Sequence, residues 1–307
     1  MLGASSFIIW GIVPLFYREL FHAGPLEIIA HRIVWTLALT VTVLALTRKI
    51  TATIAFLRTP RSALLLTAAG LLVVINWTVY VFAVATDRVL DASLGYFINP
   101  LITVILAVTV LRERLRPGQW IALSIGASAV VVMALGHGGL PWISLTLAGS
   151  FGAYGLVKKA VGASVPALSG LAIETLIMSP VALGYLIFLG TSGQSSFTGN
   201  GPLHTGLLVA TGAVTAVPLL AFAAAARRIK LSTLGILQYM GPMLQFILGI
   251  TIFRETMPAS RWAGFGIIWL ALIVLSIDAW RASAASRIHR KNSAAAASEG
   301  GPGSEKA

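Results

Sequence analysis

One long segment occurs twice in this chain, and this repeat constrains the fold more than any other feature. Residues 100–133 and 242–275 align without a gap and share ten identities in thirty-four positions. Many of the other pairs exchange Val, Ile, Leu and Met. The repeat spacing is the interval from Pro100 to Pro242 along the chain. The identical pairs are Pro100/Pro242, Ile105/Ile247, Leu106/Leu248, Thr109/Thr251, Arg112/Arg254, Glu113/Glu255, Trp120/Trp262, Ile125/Ile267, Ala129/Ala271 and Val132/Val274.

The composition indicates that lipid is the solvent for most of this chain. Hydrophobic residues make up 57% of it and charged residues only 10%, against roughly 25% charged in soluble domains. A spanning helix needs about 20 apolar residues, and ten segments qualify. The sequence therefore predicts an all-α polytopic membrane protein with ten transmembrane helices. The predicted spans are residues 2–21, 25–47, 62–86, 90–111, 117–135, 142–159, 167–190, 203–226, 231–253 and 259–280.

Each copy of the repeat holds five predicted spans, and an odd number inserts the second copy upside down. The expected architecture is a five-plus-five inverted repeat, a pattern typical of secondary transporters. The first repeat covers residues 1–136 with helices 1–5, and the second covers residues 141–281 with helices 6–10. Residues 282–307 are mostly Ala, Ser, Gly and charge, and are predicted to form a disordered cytoplasmic tail.

The distribution of the basic residues that give the net charge of +12 indicates the membrane topology. With a cytoplasmic N-terminus, seventeen lysines and arginines fall in inner segments and four in outer ones. Such a bias follows the positive-inside rule. It predicts that both termini are cytoplasmic and argues against nucleic acid as a partner.

Prolines interrupt the fourth and ninth predicted spans at equivalent positions. Pro100 and the Gly241-Pro242 pair fall near the middle of these spans. A mid-helix proline cannot bond the carbonyl four residues earlier, which frees the carbonyls of Tyr96 and Gln238. In lipid such breaks persist only where protein or a water-filled cavity satisfies them. Hinges that line a central cavity are favoured, with packed structural kinks as the alternative.

Arg32 and Glu174 are the strong charges well inside predicted spans, and the repeat spacing separates them. A charge at mid-membrane costs about 2.5–3.5 kcal/mol even on lenient scales, so both should face the interior or water. Substrate or proton handling and a structural polar network are equal alternatives. For His31, a proton relay competes with a structural hydrogen bond, which is favoured.

Aromatic and amide side chains supply a predicted substrate cavity, whose composition suits small organic solutes. Asn76 and Tyr80 share one helix face at a spacing of four residues. The chain has no cysteine and no enzyme motif, so no catalytic residue, metal or cofactor is predicted. Glu113 and Glu255 are expected to cap the fifth and tenth helices, which follow them. The predicted cavity residues are Trp10, Asn76, Trp77, Tyr80, Tyr96, Asn99, Tyr154, Gln238 and Tyr239.

Six stretches of the sequence together carry a family resemblance. They are WGIVPLF from Trp10 to Phe16, EIIAHRIVW from Glu27 to Trp35, Asn76-Trp77, ASLGYFINPL from Ala92 to Leu101, Ile173-Glu174-Thr175, and LSTLGILQYMGP from Leu231 to Pro242. With these stretches the chain resembles the drug/metabolite transporter superfamily, and within it the EamA-type proteins of the RarD (chloramphenicol-sensitive protein) kind. The resemblance implies ten helices in two tandem repeats and a permease of the bacterial plasma (inner) membrane.

The predicted function is a secondary transporter that moves a small organic metabolite or drug-like solute by alternating access. Export is favoured by the resemblance alone, and Glu174 is the candidate carrier if protons drive transport. A passive facilitator is the alternative in the same class, and a structural membrane subunit or an intramembrane enzyme in other classes. The expected partners are the solute and the lipid bilayer, and the chain is a monomer or a homodimer.

Overall fold

A computed structural model describes residues 2–110, 112, 114–137, 140–161, 165–226 and 237–299. All regular structure in these residues is helical, with eleven α-helices and a 3-10 turn at Phe56–Arg58. The helices are α1 (Leu2–Arg18), α2 (Pro25–Leu46), α3 (Ile50–Ala55), α4 (Pro60–Ala85), α5 (Val89–Thr109), α6 (Pro117–His137), α7 (Trp142–Val161), α8 (Ala167–Thr191), α9 (Gly201–Ala226), α10 (Met240–Thr251) and α11 (Ala259–Glu299).

Seven helices in the described ranges are long and apolar enough to cross a membrane, namely α2, α4, α5, α6, α8, α9 and α11. Two further apolar helices, α1 and α10, are shorter. Large apolar side chains cover the outer faces of the helices, as at Val181 and Leu135, which are 78% and 81% exposed. The chain is therefore a multi-pass membrane protein. The all-helical prediction is confirmed, and the ten-helix inverted repeat stays a prediction.

The helices of the two predicted halves pack mainly against each other. Helix α1 packs on α9 and α10, α7 packs on α4 and α5, and α2 packs on α8 and α9. Two further pairs of helices also pack together, α5 with α10 and α6 with α11. Every one of these contacts joins the first half to the second. The space between the halves, rather than the centre of either half, is therefore where a shared site can form.

Glycines allow two pairs of helices, α4 with α8 and α2 with α9, to approach closely. A Cβ atom added to Gly70 of α4 would lie 3.2 Å from the Glu174 carbonyl oxygen of α8. At Gly212 of α9 it would lie 2.5 Å from the carbonyl carbon of Trp35 and 2.8 Å from the backbone nitrogen of Thr36, both in α2. Small residues at such crossings are common in membrane helices, because they bring the backbones together.

The two proline sites differ in the structure. Helix α5 continues through Pro100, which lies near its middle as predicted, and the hinge role of Pro100 stays a prediction. Pro242, in contrast, lies in the first turn of α10, directly after a turn at Gln238 and Tyr239. Its predicted mid-helix position is wrong, because the helix starts only at Met240 and a first-turn proline loses no helical hydrogen bond. The Pro242 carbonyl accepts a hydrogen bond from Ser93 Oγ at 2.8 Å, which ties α10 to α5.

The C-terminal segment also differs from its predicted disorder. Helix α11 continues through Glu299, well past the predicted end of the last span at residue 280. Residues 282–299 contain many alanines, and alanine is the strongest helix former. Residues 300–307 lie outside the described part of the chain.

Candidate substrate site

Arg32 is a buried cation that rests on aromatic rings. It lies in α2 and is 8% exposed. Its guanidinium carbon is 3.9 Å from the centroid of the Trp77 ring in α4 and 5.8 Å from that of Tyr17 in α1. Among the described residues no carboxylate lies within salt-bridge distance of Arg32, and its Nε has no hydrogen-bond partner. The ring faces stabilise the charge by cation–π attraction, worth about 2 kcal/mol when desolvated.

Tyr17, whose ring lies against the guanidinium group, leads to Tyr80 and Tyr96 through successive ring contacts. The ring centroids of Tyr17 and Tyr80 are 6.2 Å apart, and those of Tyr80 and Tyr96 are 5.9 Å apart. The hydroxyl oxygens of Tyr17 and Tyr80 are buried and find no hydrogen-bond partner in the described residues. A buried hydroxyl without a partner is costly. The site thus contains free hydrogen-bond donors beside a free positive charge.

Asn76 borders this site but has little capacity left to bind a solute. Its side-chain Nδ2 donates to the Leu147 carbonyl and to Ser150 Oγ in α7, both at 3.0 Å. Its Oδ1 accepts the Tyr96 hydroxyl at 3.1 Å. Asn76 therefore joins α4, α5 and α7 and fixes the position of Tyr96. Asn76 is a predicted cavity residue, but in the structure its side chain holds Tyr96 in position.

Glu174 has its own partners, away from Arg32. In α8, it is 1% exposed and lies 2.7 Å from the Nζ of Lys158 of α7. The Tyr154 hydroxyl donates to its second oxygen at 3.1 Å. Lys158 was missed as a site residue because the charge pattern alone assigns it to an inner loop. The sequence feature that could have identified Lys158 is its four-residue spacing from Tyr154, which puts both donors on one face of α7.

A row of aromatic rings connects the two charged groups. From Tyr80 the row passes to Tyr96 at 5.9 Å, to Phe151 at 6.0 Å and to Tyr154 at 6.1 Å. Arg32 lies at its first end and Glu174 at its last. The row is built from one ring of α4, one of α5 and two of α7.

Several predicted cavity residues lie elsewhere. Trp10 packs with Phe7 and Phe222 at centroid distances of 5.5 and 5.9 Å. Gln238 is exposed, and Tyr239 lies beside Ser276 of α11. Asn99 of α5 faces Gly152 of α7, and its buried Oδ1 has no partner in the described residues. Four predicted cavity residues belong to the contacts between Arg32 and Glu174, namely Trp77, Tyr80, Tyr96 and Tyr154. The contacts of three others lie outside this group, namely those of Trp10, Gln238 and Tyr239.

His31 lines an open cavity of about 510 Å³ between α2, α8 and the segment after α8. Its ring stacks on Phe197 at 4.7 Å. Neither ring nitrogen has a hydrogen-bond partner among the described residues. The favoured interpretation, a structural hydrogen bond, therefore stays a prediction. Among the described residues the ring is held by stacking.

Glu255 caps a helix of the other half. Its two carboxylate oxygens accept the backbone N–H of Leu90 in the first turn of α5, at 3.0 and 3.2 Å. The prediction that it caps the helix that follows it is wrong, because the loop after α10 folds back onto α5. Arg261 lies 3.7 Å from the same carboxylate. Glu113 lies outside the described residues.

Stability should depend on pH through Glu255. Burial raises the pKa of this carboxyl to about 7, although the Leu90 hydrogen bond and Arg261 oppose the shift. A raised folded-state pKa means that the protonated form favours folding, so this contribution is present below about pH 4.5 and is lost as the pH rises through 7. We expect the unfolding temperature of the parent to fall over this window more steeply than that of Glu255→Gln. Parallel curves for the two proteins would contradict this assignment, and the exposed Glu19→Gln should behave as the parent does.

Known proteins match almost the whole chain. The EamA-like transporter family matches it twice, at residues 1–135 and 139–277. The chain belongs to the EamA-like transporter family. The protein RarD of Streptomyces exfoliatus is 47% identical to this EamA-family chain over 287 residues, which cover 94% of the chain and 90% of the relative. An uncharacterized transporter of Vibrio cholerae is 40% identical, with 94% of each chain covered.

A solved crystal structure shares the fold of this EamA-family protein. It superimposes with a TM-score of 0.58 at 19% identity, covering 91% of this chain and 96% of the other. This likeness concerns the fold alone. The family match makes the chain a membrane transporter that acts on a small molecule.

Proposed function

We propose that this EamA-family protein is a secondary transporter that exports a small organic metabolite or drug-like solute across the bacterial plasma membrane by alternating access. The proposal includes a five-plus-five inverted repeat with both termini in the cytoplasm. Mirror-related halves can close in turn around one site near the midplane. The solute occupies the space between the halves, along the aromatic row from Arg32 to Glu174.

The observation that carries the proposal is a pair of equivalent contacts at the starts of α2 and α8. Near the start of α2, Glu27 accepts hydrogen bonds from the Ser196 backbone N–H at 2.8 Å and from Ser195 Oγ at 3.2 Å. Near the start of α8, Ser169 Oγ lies 2.8 Å from Thr53 Oγ1. The repeat spacing separates Glu27 from Ser169, and it also separates Thr53 from Ser195. The same contact is thus made by each half on the other, as an inverted repeat requires.

Further equivalences support the same architecture. Arg112 and Arg254, which the repeat spacing also separates, both adopt left-handed backbone angles, with φ of 54° and 50°. Only a few per cent of non-glycine residues do so. The close-approach glycines Gly70 and Gly212 have the same spacing. The double family match also divides the chain near the proposed boundary between residues 1–136 and 141–281.

Within this proposal the residues have separate roles. Arg32 with Trp77, Tyr80 and Tyr96 binds the solute, and Tyr154 and Glu174 form the other end of its path. Glu174 is the proposed proton carrier. Pro100, Gly241 and Pro242 form the hinges, since the break before α10 and the proline inside α5 both weaken the backbone that must bend.

Topology can be tested by single-cysteine labelling, because the native chain has no cysteine. Gly199 and Arg58 are both exposed, Gly199 after α8 and Arg58 before α4. In right-side-out membranes, Gly199→Cys should react with an impermeant maleimide, and Arg58→Cys should react only after the membrane is opened. Outside labelling of Arg58→Cys in sealed membranes would contradict the proposed orientation.

Transport itself is tested in sealed vesicles of purified protein. Uptake of a panel of aromatic and aliphatic metabolites is measured with and without a pH gradient of either direction. Accumulation against a concentration gradient, dependent on the pH gradient, is the expected result. Equilibration without accumulation would indicate a passive facilitator instead. If no compound in the panel showed either uptake or counterflow, the result would contradict the proposal.

A further inference from the structure

We infer that Arg32 binds the carboxylate group of the transported solute, and that the substrate class is therefore a small monocarboxylate with an aromatic or apolar body. The inference deepens the proposed function and rests on it. It depends on three features of the described residues: an unpaired buried cation, free hydroxyl donors beside it, and a row of aromatic rings leading away from it.

Arg32 is the exception among the buried charges of the described residues. Glu27, Asp91 and Glu174 are equally buried, and each has a hydrogen-bond or ion-pair partner. Arg32 has neither an acid nor a hydrogen-bond acceptor within the same part of the chain. Buried charges in proteins are normally paired, because an unpaired one is costly. An anionic solute would supply the missing partner when it binds.

The donors around Arg32 suit a carboxylate. The guanidinium plane can give two parallel hydrogen bonds to the two oxygens of a carboxylate. Stacking on Trp77 at 3.9 Å restricts the orientation of the guanidinium group, so less conformational entropy is lost on binding. The unpartnered hydroxyls of Tyr17 and Tyr80 can each donate a further hydrogen bond to the anion.

The charge balance favours a monocarboxylate over a phosphate ester. A phosphate monoester carries a charge of about −1.5 to −2 at neutral pH, which one guanidinium group does not neutralise. The next cation along the row, Lys158, is already paired with Glu174 at 2.7 Å. The His31 ring, although adjacent in sequence, stacks on Phe197. A single negative charge therefore matches the site.

The aromatic row defines the rest of the solute. Beyond Arg32 come Tyr80, Tyr96, Phe151 and Tyr154, each with its ring about 6 Å from the next. Ring faces at such spacing favour planar or apolar groups. A carboxylate attached to an aromatic or aliphatic body satisfies both the charge and the rings.

Binding to the purified full-length protein tests the inference with three matched probes. These are 3-phenylpropionate, its neutral amide 3-phenylpropionamide, and phenyl phosphate, and binding is followed by the rise in unfolding temperature. We expect an apparent Kd for the carboxylate at least about tenfold below that for the amide, as expected for a charge-assisted hydrogen bond. Phenyl phosphate should bind more weakly than the carboxylate.

Variants assign the effect to Arg32. Arg32→Gln should remove the preference for the carboxylate, and Arg32→Lys should keep part of it. Arg58→Gln removes the same charge from an exposed position and should bind as the parent does. If Arg32→Gln does not fold, Tyr17→Phe and Tyr80→Phe remain informative. Each removes only an unpartnered hydroxyl and should weaken carboxylate binding about threefold or more, and amide binding less, because a neutral carbonyl accepts a weaker hydrogen bond than a carboxylate does.

The outcomes separate this inference from the proposed function. Equal binding of carboxylate and amide, tighter binding of phenyl phosphate, or the lack of binding by 3-phenylpropionate would overturn the inference. So would carboxylate binding that both the Arg32 and tyrosine variants leave unchanged. Vesicle transport of other solutes would then still stand. Conversely, Arg32-dependent binding without any vesicle transport would refute the proposed function and keep the site.

Discussion

Gly212→Ala is expected to destabilise the protein by on the order of 3 kcal/mol, which makes it the most damaging methyl addition we foresee. The new Cβ would lie 2.5 to 2.8 Å from backbone atoms of Trp35 and Thr36. Backbone atoms cannot rotate away as a side chain can. Helices α9 and α2 would have to separate, and the halves would lose a close contact between backbones.

A matched control lies in the same helix. A Cβ added to Gly206 would meet no atom within 4 Å. Gly206→Ala should therefore leave the unfolding temperature unchanged or raise it slightly, because alanine is the better helix former. The measurement is thermal unfolding of the detergent-purified proteins together with their yield. Equal unfolding temperatures for the two variants would show that α2 and α9 are not in close contact.

Lys158→Gln should cost more stability than Glu174→Gln, although both break the same ion pair. The Lys158 substitution leaves a carboxylate on a fully buried side chain, whereas the Glu174 substitution leaves an amine on a side chain that is 28% exposed. Stranding a buried charge costs about 3–5 kcal/mol, and the exposed amine should cost about 1 kcal/mol. Transport should fall in both variants, because each leaves the end of the aromatic row with an unbalanced charge.

The double variant Lys158→Gln/Glu174→Gln should be more stable than the sum of the single losses predicts. A coupling energy of about 0.5–3 kcal/mol is usual for contacting residues. By contrast, Arg32→Gln and Glu174→Gln should add without coupling in stability, because they share no partner. Lys49→Gln, at an exposed position, controls for the loss of a lysine. Additive losses at Lys158 and Glu174 would mean that their 2.7 Å contact contributes nothing.

The all-helical membrane fold was predictable because the length and hydrophobicity of each segment are properties of the chain itself. The predicted spans agree with the observed helices most closely where capping residues or prolines mark the ends, as at Pro25 and Pro117. The break before α10 was missed. Proline marks the first turn of a helix as readily as a kink, and hydropathy does not distinguish these cases.

The site was predictable in part. Arg32 and Trp77 were identified by the cost of a buried charge and by aromatic composition, but their stacking depends on how α2 lies beside α4. Lys158 was assigned to the inner surface, because a charge count does not show whether a helix end folds inward. The equivalence of the two close-approach glycines could have been predicted from the sequence, because Gly70 and Gly212 are separated by the repeat spacing. The packing of Trp10 against Phe7 and Phe222 could not be predicted, because an aromatic residue packs equally well in any apolar cluster.

The two glycine crossings are not equal, and their difference has a consequence for how the molecule moves. Gly70 meets Glu174, whereas Gly212 meets Trp35 and Thr36 rather than Arg32, its equivalent target. The offset of three residues corresponds to about 4.5 Å of helix rise. Under the proposed repeat, exchanging the two registers would slide α9 towards Arg32 and α4 away from Glu174. In the proposed alternating-access cycle, each half would take up, in the opposite-facing state, the helix register that the other half has in this structure.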